Sequence, residues 1–208
     1  MEKTTVSKAT LGRLPEYLRT LRELAPEDGT HISATAIAKK LNLGEVQVRK
    51  DLAAVSGAGK PKLGYEIGEL IEEIEHFLGY DQLTPAILVG AGKLGKALLQ
   101  YREFERYGVK ISAAFDLNEK PIIIGEKTEV LPMSQLESFC RDGHIRLGII
   151  TVGEGSAQEV CDRMVGCGIE AIWNFAPCKL SVPSGVLLQN ENLALSLAHL
   201  NNQLCNHK

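Results

Sequence analysis

No two cysteines in this chain stand at C-x-x-C spacing, and no apolar run is long enough to cross a bilayer. The first absence argues against a thiol-held zinc site or a dithiol redox motif, the second against a membrane span. The five cysteines (Cys140, Cys161, Cys167, Cys178, Cys205) are an odd number, so internal disulfides cannot use them all. With no legible signal peptide, the expected setting is a reducing cytoplasm with buried or incidental thiols. A strongly basic balance is also missing. The formal net charge is -3, so the chain as a whole does not advertise nucleic acid. Catalytic groups are sparse. There is no Tyr-x-x-x-Lys pair and no C-terminal substrate domain. His31 and His76 lie early, His199 and His207 lie at the C-terminal end, and His144 precedes a strand, so none is placed as a general acid or base. No metal is expected.

What is present is unevenly distributed. Up to Lys62, Lys and Arg outnumber Asp and Glu. From Leu63 to Asp81 the formal charges are all acidic: Glu66, Glu69, Glu72, Glu73, Glu75 and Asp81. A basic head meets an acidic neck. The length of 208 residues suits two small domains, and 44% apolar residues are enough for packed cores.

The most informative stretch is Pro85–Gly95. A short apolar run ends in Gly90-Ala91-Gly92-Lys93-Leu94-Gly95, and a helical pattern follows through Ala97, Leu98 and Tyr101. This is strand, tight turn and helix with G-x-G-x-x-G at the turn. Gly90 permits the turn, Gly92 lets backbone approach a pyrophosphate, and Gly95 lets helix and strand pack closely. A second apolar run, Val109–Phe115, ends in Asp116, where a ribose-binding carboxylate should fall. Such a carboxylate accepts from the ribose hydroxyls and repels a 2′-phosphate, which favours NAD(H) over NADP(H). The competing reading is a glycine turn that serves packing alone.

In the head, Leu11, Leu14, Leu18 and Leu21 recur at helical spacing. Pro15 would sit in a first turn or bend a helix begun earlier, and Pro26–Gly29 would stop it. Ser33 is a good N-cap for a helix Ala34–Leu41. After Asn42-Leu43-Gly44 a third helix, Glu45–Val55, can pack Val46, Val48, Leu52 and Val55 and face Gln47, Arg49 and Lys50 outward. That is a helix-turn-helix. Ser56–Tyr65, rich in glycine with Lys60 and Lys62 at its tip, reads as a β-hairpin wing suited to phosphates or a minor groove. The alternative is a plain packing unit. Ile67, Leu70, Ile71, Ile74, Phe77 and Leu78 give an amphipathic connector with an acidic far side.

Beyond Asp116 the chain is expected to loop through Pro121 and Gly125. A short strand or connection Val130–Pro132, a helix ending at Gly143 and a buried strand Leu147–Val152 should follow, then a helix Ala157–Val165 and strands Glu170–Trp173 and Val186–Gln189. Strands alternating with helices predict a doubly wound parallel sheet, an α/β Rossmann-like domain. Thr151, Val152, Gly153 and Asn174-Phe175-Ala176-Pro177 fall at strand ends, where the nicotinamide half of a ligand would lie or where they are merely loop. Leu193, Leu197, Leu200 and Leu204 form a seam too short to be stable alone, which must pack on its own domain or on a second copy. The expected domains are residues 1–79, a winged helix-turn-helix; 80–188, a Rossmann dinucleotide domain; and 189–208, a C-terminal dimerisation helix.

Taken in order, these pieces resemble the Rex redox-sensing transcriptional repressors of bacteria. The likeness runs from about Thr10 to Leu204 and is carried by specific motifs. They are Arg13-Leu14-Pro15 with Tyr17-Leu18-Arg19, Gln47-Val48-Arg49-Lys50-Asp51-Leu52, Gly64-Tyr65, Val89–Gly95 with Tyr101, Ala113–Asp116 and Asn174–Pro177. The resemblance implies a homodimer whose C-terminal helix is exchanged between subunits. It also implies double-stranded operator DNA as partner, release of that DNA by NADH, and weak competition by NAD+. Arg13, Gln47, Arg49, Lys50, Lys60 and Lys62 become the expected DNA contacts. The resemblance further implies a switch between subunits at Arg19, Tyr101, Asn192 and Leu193. Many members carry Asp at the position of Asn192, an aromatic at Leu193 and Pro at Gly153, and an aromatic-Gly pair replaces Val55-Ser56. An amide cannot form an ion pair with Arg19, so a weakened NADH response is one alternative. The others are a small NAD-dependent oxidoreductase and an oligomerisation module that holds NAD structurally.

Overall fold

A computed structural model of the chain describes residues 6–24, 29–117, 122–124 and 128–206. Pro26, Glu27, Asp28, Pro121, Gly125 and His207, named in the expectations above, lie outside them. Internal contacts divide the chain into two units, Met1–Gln82 and Leu83–Lys208, so the C-terminal segment belongs with the sheet domain.

The first unit opens with α1, Lys8–Arg22, N-capped by Ser7, whose hydroxyl accepts from the Thr10 N–H at 3.1 Å. Pro15 lies inside α1, so the helix begins before it rather than at it. Strand β1 (His31–Ile32) precedes α2, Ala34–Leu41, which Ser33 caps by accepting from the Ala36 N–H at 3.1 Å. Asn42 ends α2 in the left-handed region at φ 53°. Helix α3 runs Glu45–Ser56, strand β2 (Tyr65–Glu66) pairs antiparallel with β1, and α4 spans Ile67–Leu78. Leu14, Tyr17, Leu18, Leu21, Ile37, Val48, Leu52, Leu70 and Ile74 form the core. The expected hairpin wing is reduced to a tight turn with one bridge, Lys60 to Gly64. Glycines at 57 and 59 offer no side chains for cross-strand packing, and Pro61 has no N–H for a ladder.

The second unit is a seven-stranded sheet. Strands β3 (Thr84–Val89), β4 (Val109–Asp116), β6 (Thr128–Pro132), β7 (Leu147–Ile150), β8 (Ala171–Asn174) and β9 (Leu187–Asn190) run parallel in the order β6-β4-β3-β7-β8-β9. Renumbered from β3, that order is 3-2-1-4-5-6, the dinucleotide arrangement whose crevice opens between the first and fourth strands. One expectation is corrected. The stretch anticipated as loop contains β5 (Ile122–Ile124), which pairs antiparallel with β6 and makes the sheet mixed at that edge. An edge strand of three residues is too short for periodicity to reveal.

Helices α5 (Lys93–Leu99), α6 (Glu103–Arg106), α7 (Leu136–Asp142) and α8 (Glu154–Gly166) complete the layers. One face of the sheet buries Ile87, Val89, Phe115 and Ile150 with Leu136, Cys140, Val160 and Met164 of α7 and α8. The other packs Leu88, Ala114 and Ile149 with Leu98 and Leu99 of α5. The chain returns from β8 to β9 without a helix, then runs into α9, Leu193–Asn206, every residue of which is exposed.

Candidate nucleotide cradle and DNA-facing surface

The carboxyl ends of the adjacent parallel strands β4, β3, β7 and β8 lie side by side. At the end of β3 the backbone turns at Gly90, whose φ of 106° suits glycine. A Cβ on Gly90 would also meet the Thr151 carbonyl carbon at 2.8 Å, and one on Gly95 would meet the Gly90 oxygen at 2.0 Å. These two positions are closed by packing. Gly92 differs, because a Cβ there would meet nothing within 4 Å. Folding does not demand glycine at 92, whereas a ligand phosphate pressed against the backbone would. Gly92 and Gly153 start α5 and α8 without side-chain caps. The first N–H groups of both helices are therefore left without a side-chain acceptor.

Around that turn the strand ends are tied together. The Thr151 hydroxyl lies 2.7 Å from the Gly90 carbonyl oxygen, to which it donates. Asp116, at the end of β4, reaches back to accept from the Ala91 N–H at 2.7 Å and from its neighbour Leu117 at 2.7 Å. The carboxylate thus stands beside the middle of the glycine turn. Asn174 is fully buried and organises the loop that follows β8. Its carbonyl oxygen accepts from the Ala176 N–H at 2.9 Å, and its amide donates to the Cys178 carbonyl at 3.1 Å. The structure brings Gly90, Ala91, Asp116 and Thr151 into direct hydrogen-bonded contact. Lys93 is exposed and Leu94 half-buried at the start of α5, with Val152 half-buried and Gly153 exposed after β7. Phe175 packs at a tilt against Trp173, Ala176 is buried, and Pro177 is exposed.

In the first unit, Arg13, Gln47 and Lys50 line one groove between α1 and α3, together with Ser7, Val46 and Ala54. Its floor is Asp51, only 5% exposed. Arg13 donates to both carboxylate oxygens at 2.8 and 2.9 Å, Tyr17 donates at 2.8 Å, and Thr10 donates at 3.0 Å. Burial alone would raise this carboxyl. The hydrogen bonds from Arg13, Tyr17 and Thr10 outweigh it and hold Asp51 below the ordinary carboxylate value. Burial and the same carboxylate push the Tyr17 phenol up to about 12. Arg13 is therefore engaged inside the head. With its amide oxygen turned toward that guanidinium, Gln47 accepts from Arg13 at 2.9 Å. Arg49 pairs with Glu45 on the exposed side of α3, and Lys50 is exposed. Lys60 and Lys62 are exposed on the turn, with Lys62 at φ 66°.

Two family models match the chain. Residues 5–53 match a putative DNA-binding protein N-terminus, and residues 81–178 match a CoA binding domain. A redox-sensing transcriptional repressor Rex from Bacteroides thetaiotaomicron is 37% identical over 204 residues, covering 97% of this chain and 92% of the relative. A crystal structure of RSP with beta-NAD+ and operator DNA superposes with a TM-score of 0.88 at 36% identity, covering 96% of this chain and 93% of that one. The same repressor with beta-NADH gives 0.81 at 36% identity, covering 96% and 94%. This chain belongs to the Rex family of redox-sensing transcriptional repressors. Membership in Rex decides against the oxidoreductase alternative, because the relatives are repressors over nearly their whole length.

Of the four residues that the Rex resemblance implies as a switch between subunits, one belongs to the first unit and three to the second. Arg19 is exposed on α1 of the first unit. Tyr101 is exposed in the second and meets Phe104 edge-on at 5.0 Å. Asn192 caps α9, its side-chain oxygen accepting from the Leu195 N–H at 2.8 Å, and Leu193 is exposed. Sequence reasoning missed two features of the Rex head. Val46 does not pack. It is 67% exposed on α3, beside Gln47, because the buried stripe of that helix is Val48, Asp51 and Leu52. The role of Asp51 as hub was also missed, although a carboxylate at i+3 from an apolar Val48 inside a buried stripe was the signal available.

Proposed function

We propose that this chain represses transcription by binding operator DNA as a homodimer and that NADH, held at the glycine turn, releases it. The observation that carries the coenzyme reading is the contrast among the three glycines: two closed by packing, one open to a ligand. Asp116 supports a nicotinamide dinucleotide over coenzyme A. A carboxylate beside the turn accepts from unmodified ribose hydroxyls and repels the ribose phosphate that coenzyme A carries. Thr151–Gly153 and Asn174–Pro177 then border the nicotinamide, where NAD+ and NADH differ by one charge and by ring planarity. Discrimination there is what a ratio sensor needs, since a ligand shifts an equilibrium only by its differential affinity for the two states.

Val46, Gln47 and Lys50 face the major groove in this reading, and Val46 supplies an apolar contact suited to a thymine methyl. Arg49, Lys60 and Lys62 neutralise phosphates, so operator affinity falls with salt. Arg13 acts chiefly by holding α3 against α1. The residue ranges 1–79, 80–188 and 189–208 serve as DNA-binding, coenzyme and dimerisation segments, and the exposed leucines of α9 meet the partner subunit. The setting is the cytoplasm, in keeping with five free thiols; among the described residues no helix is long and apolar enough to cross a membrane.

A second reading, in which the NADH response is weakened, is favoured by Asn192. Its side-chain oxygen caps α9 and, unlike a carboxylate, carries no charge with which to pair a cation. Operator titration with NADH and NAD+ added separately tests both. Full release at low NADH supports the first reading, and retained binding at saturating NADH supports the second. Gly92→Ala tests the cradle itself. Thermal stability should stay within about 0.5 kcal/mol, while NADH affinity falls at least tenfold, on the order of 1.4 kcal/mol. Unchanged affinity would remove the phosphate from that turn.

A further inference from the structure

The loop that follows β8 and the segment that leads into α9 are one hydrogen-bonded unit. The Glu191 N–H donates to the Asn174 carbonyl at 2.8 Å. The Asn174 side-chain amide donates to the Asn190 side-chain oxygen at 2.9 Å. The Trp173 indole N–H donates to Glu191 Oε1 at 3.2 Å, and Gln189 donates to the same oxygen at 3.1 Å. The indole ring also touches both neighbours of interest. It lies 4.5 Å from the Phe175 ring in the loop and 5.6 Å from Phe104 of α6, which meets it edge-on. Helix α9 starts at Leu193, two residues beyond Glu191, and all its residues are exposed.

We propose that Trp173, Asn174, Asn190 and Glu191 form a clamp through which coenzyme at the Asn174–Pro177 loop sets the direction in which α9 leaves the sheet. The proposal rests on the reading that NADH binds against that loop. Asn174 has no exposed surface, so none of its polar atoms can turn to water when the loop moves. A shift that moves Asn174 must either carry Asn190 and Glu191 with it or break the hydrogen bonds that join them to it. The indole works in the same direction, because its ring packs at a tilt against loop residue Phe175 while its N–H holds Glu191. Trp173, Asn190 and Glu191 position α9 and need not touch the coenzyme, which Asn174 borders.

Trp173 is the single tryptophan of the chain, so its emission reports on the clamp without any label. The test uses the full-length protein and three quantities: NADH affinity, read from the coenzyme's own fluorescence; operator affinity without coenzyme; and the ratio of operator affinities without and with saturating NADH. Glu191→Ala and Asn190→Ala should leave the first two within about twofold of the unaltered chain while the ratio falls about fivefold or more, a typical allosteric coupling. Glu191→Gln keeps an oxygen acceptor for the indole and should restore the ratio. A merely structural contact would not move the ratio alone. An unchanged ratio in both alanine variants overturns the clamp, as does a parallel loss of NADH affinity, which would make these residues part of the pocket. Should the variants not fold, hydrogen exchange on the unaltered chain decides. NADH should slow the Glu191 amide, and no change there overturns the proposal. If the unaltered chain ignores NADH or operator, the functional reading fails, and the clamp with it; if it responds and the variants respond equally, the clamp alone fails.

Discussion

Asp51 in the first unit and Asn174 in the second are both buried polar side chains that gather several partners, but they do so with opposite chemistry. Asp51 is a charged acceptor that collects side-chain donors from α1: Thr10, Arg13 and Tyr17. Asn174 is neutral and is chiefly a donor, to the oxygens of Ala176, Cys178 and Asn190. The first fixes one helix against another. The second fixes a loop against the base of α9. A buried ion pair with every lone pair used gives a rigid, geometrically specific contact, at the cost of sensitivity to protonation. A neutral amide gives a contact indifferent to pH. The head that reads DNA is therefore braced by charge, and the loop assigned to coenzyme is braced without it.

The largest test of that contrast is Asp51→Ala. It takes the carboxylate from Arg13, leaves the Tyr17 hydroxyl without its acceptor and should destabilise the head by about 3 kcal/mol, in the range for removing one partner of a buried pair. Circular dichroism during chemical denaturation measures it. A loss near the ~0.5 kcal/mol typical of surface substitutions would show the network to be incidental. Acid should reproduce part of the effect in the unaltered chain. The folded pKa of Asp51 is depressed, so its contribution is present above the ordinary value of 3.8 and is lost as the pH falls below it through the folded value. The depressed carboxylates of the second unit, Glu137 beside Arg163 and Glu170 beside Arg146, belong to more exposed pairs that contribute little.

The same contrast explains how far the sequence could be read. Local signals were legible because local physics makes them. Ser33 and the spacing of Ala34, Ile37, Ala38 and Leu41 gave α2 at its observed bounds. The apolar run into Gly90–Gly95, followed by a second run into Asp116, gave the strand, the turn with its helix, and the carboxylate that borders the turn. The partners of neither hub were legible. Thr10 and Asp51 are 41 residues apart, and Trp173 and Glu191 are 18 apart. No periodicity encodes such pairs, and a lone Asp in a helix or Asn at a strand end reads as ordinary surface or loop. Val46 failed for a related reason. An apolar residue on a short helix suggests packing until the tertiary contacts show which stripe is used. Strand β5 was lost because its partner β6, not its own pattern, makes it a strand.

A smaller and more diagnostic effect comes from giving the second hub the chemistry of the first. In Asn174→Asp the carboxylate would face the oxygens of Ala176, Cys178 and Asn190 with no proton to offer them and without the guanidinium that Asp51 enjoys. Burial and those oxygens disfavour the charged form, so the folded pKa of the new group rises above its unfolded value of about 3.9. The sign is then the reverse of that for Asp51. The variant keeps most of its stability below the unfolded value, where the neutral acid can still donate once, and loses about 2 kcal/mol as the pH rises through the folded value to neutrality. Trp173, which adjoins the loop, supplies the readout: its unfolding transition should shift to lower denaturant as pH rises in Asn174→Asp but not in the unaltered chain. If the transition ignored pH, the Asn174 pocket would have to admit water or a counter-charge, and the account of a loop braced by neutral donors would give way to one in which the loop is solvated and free to move independently of α9.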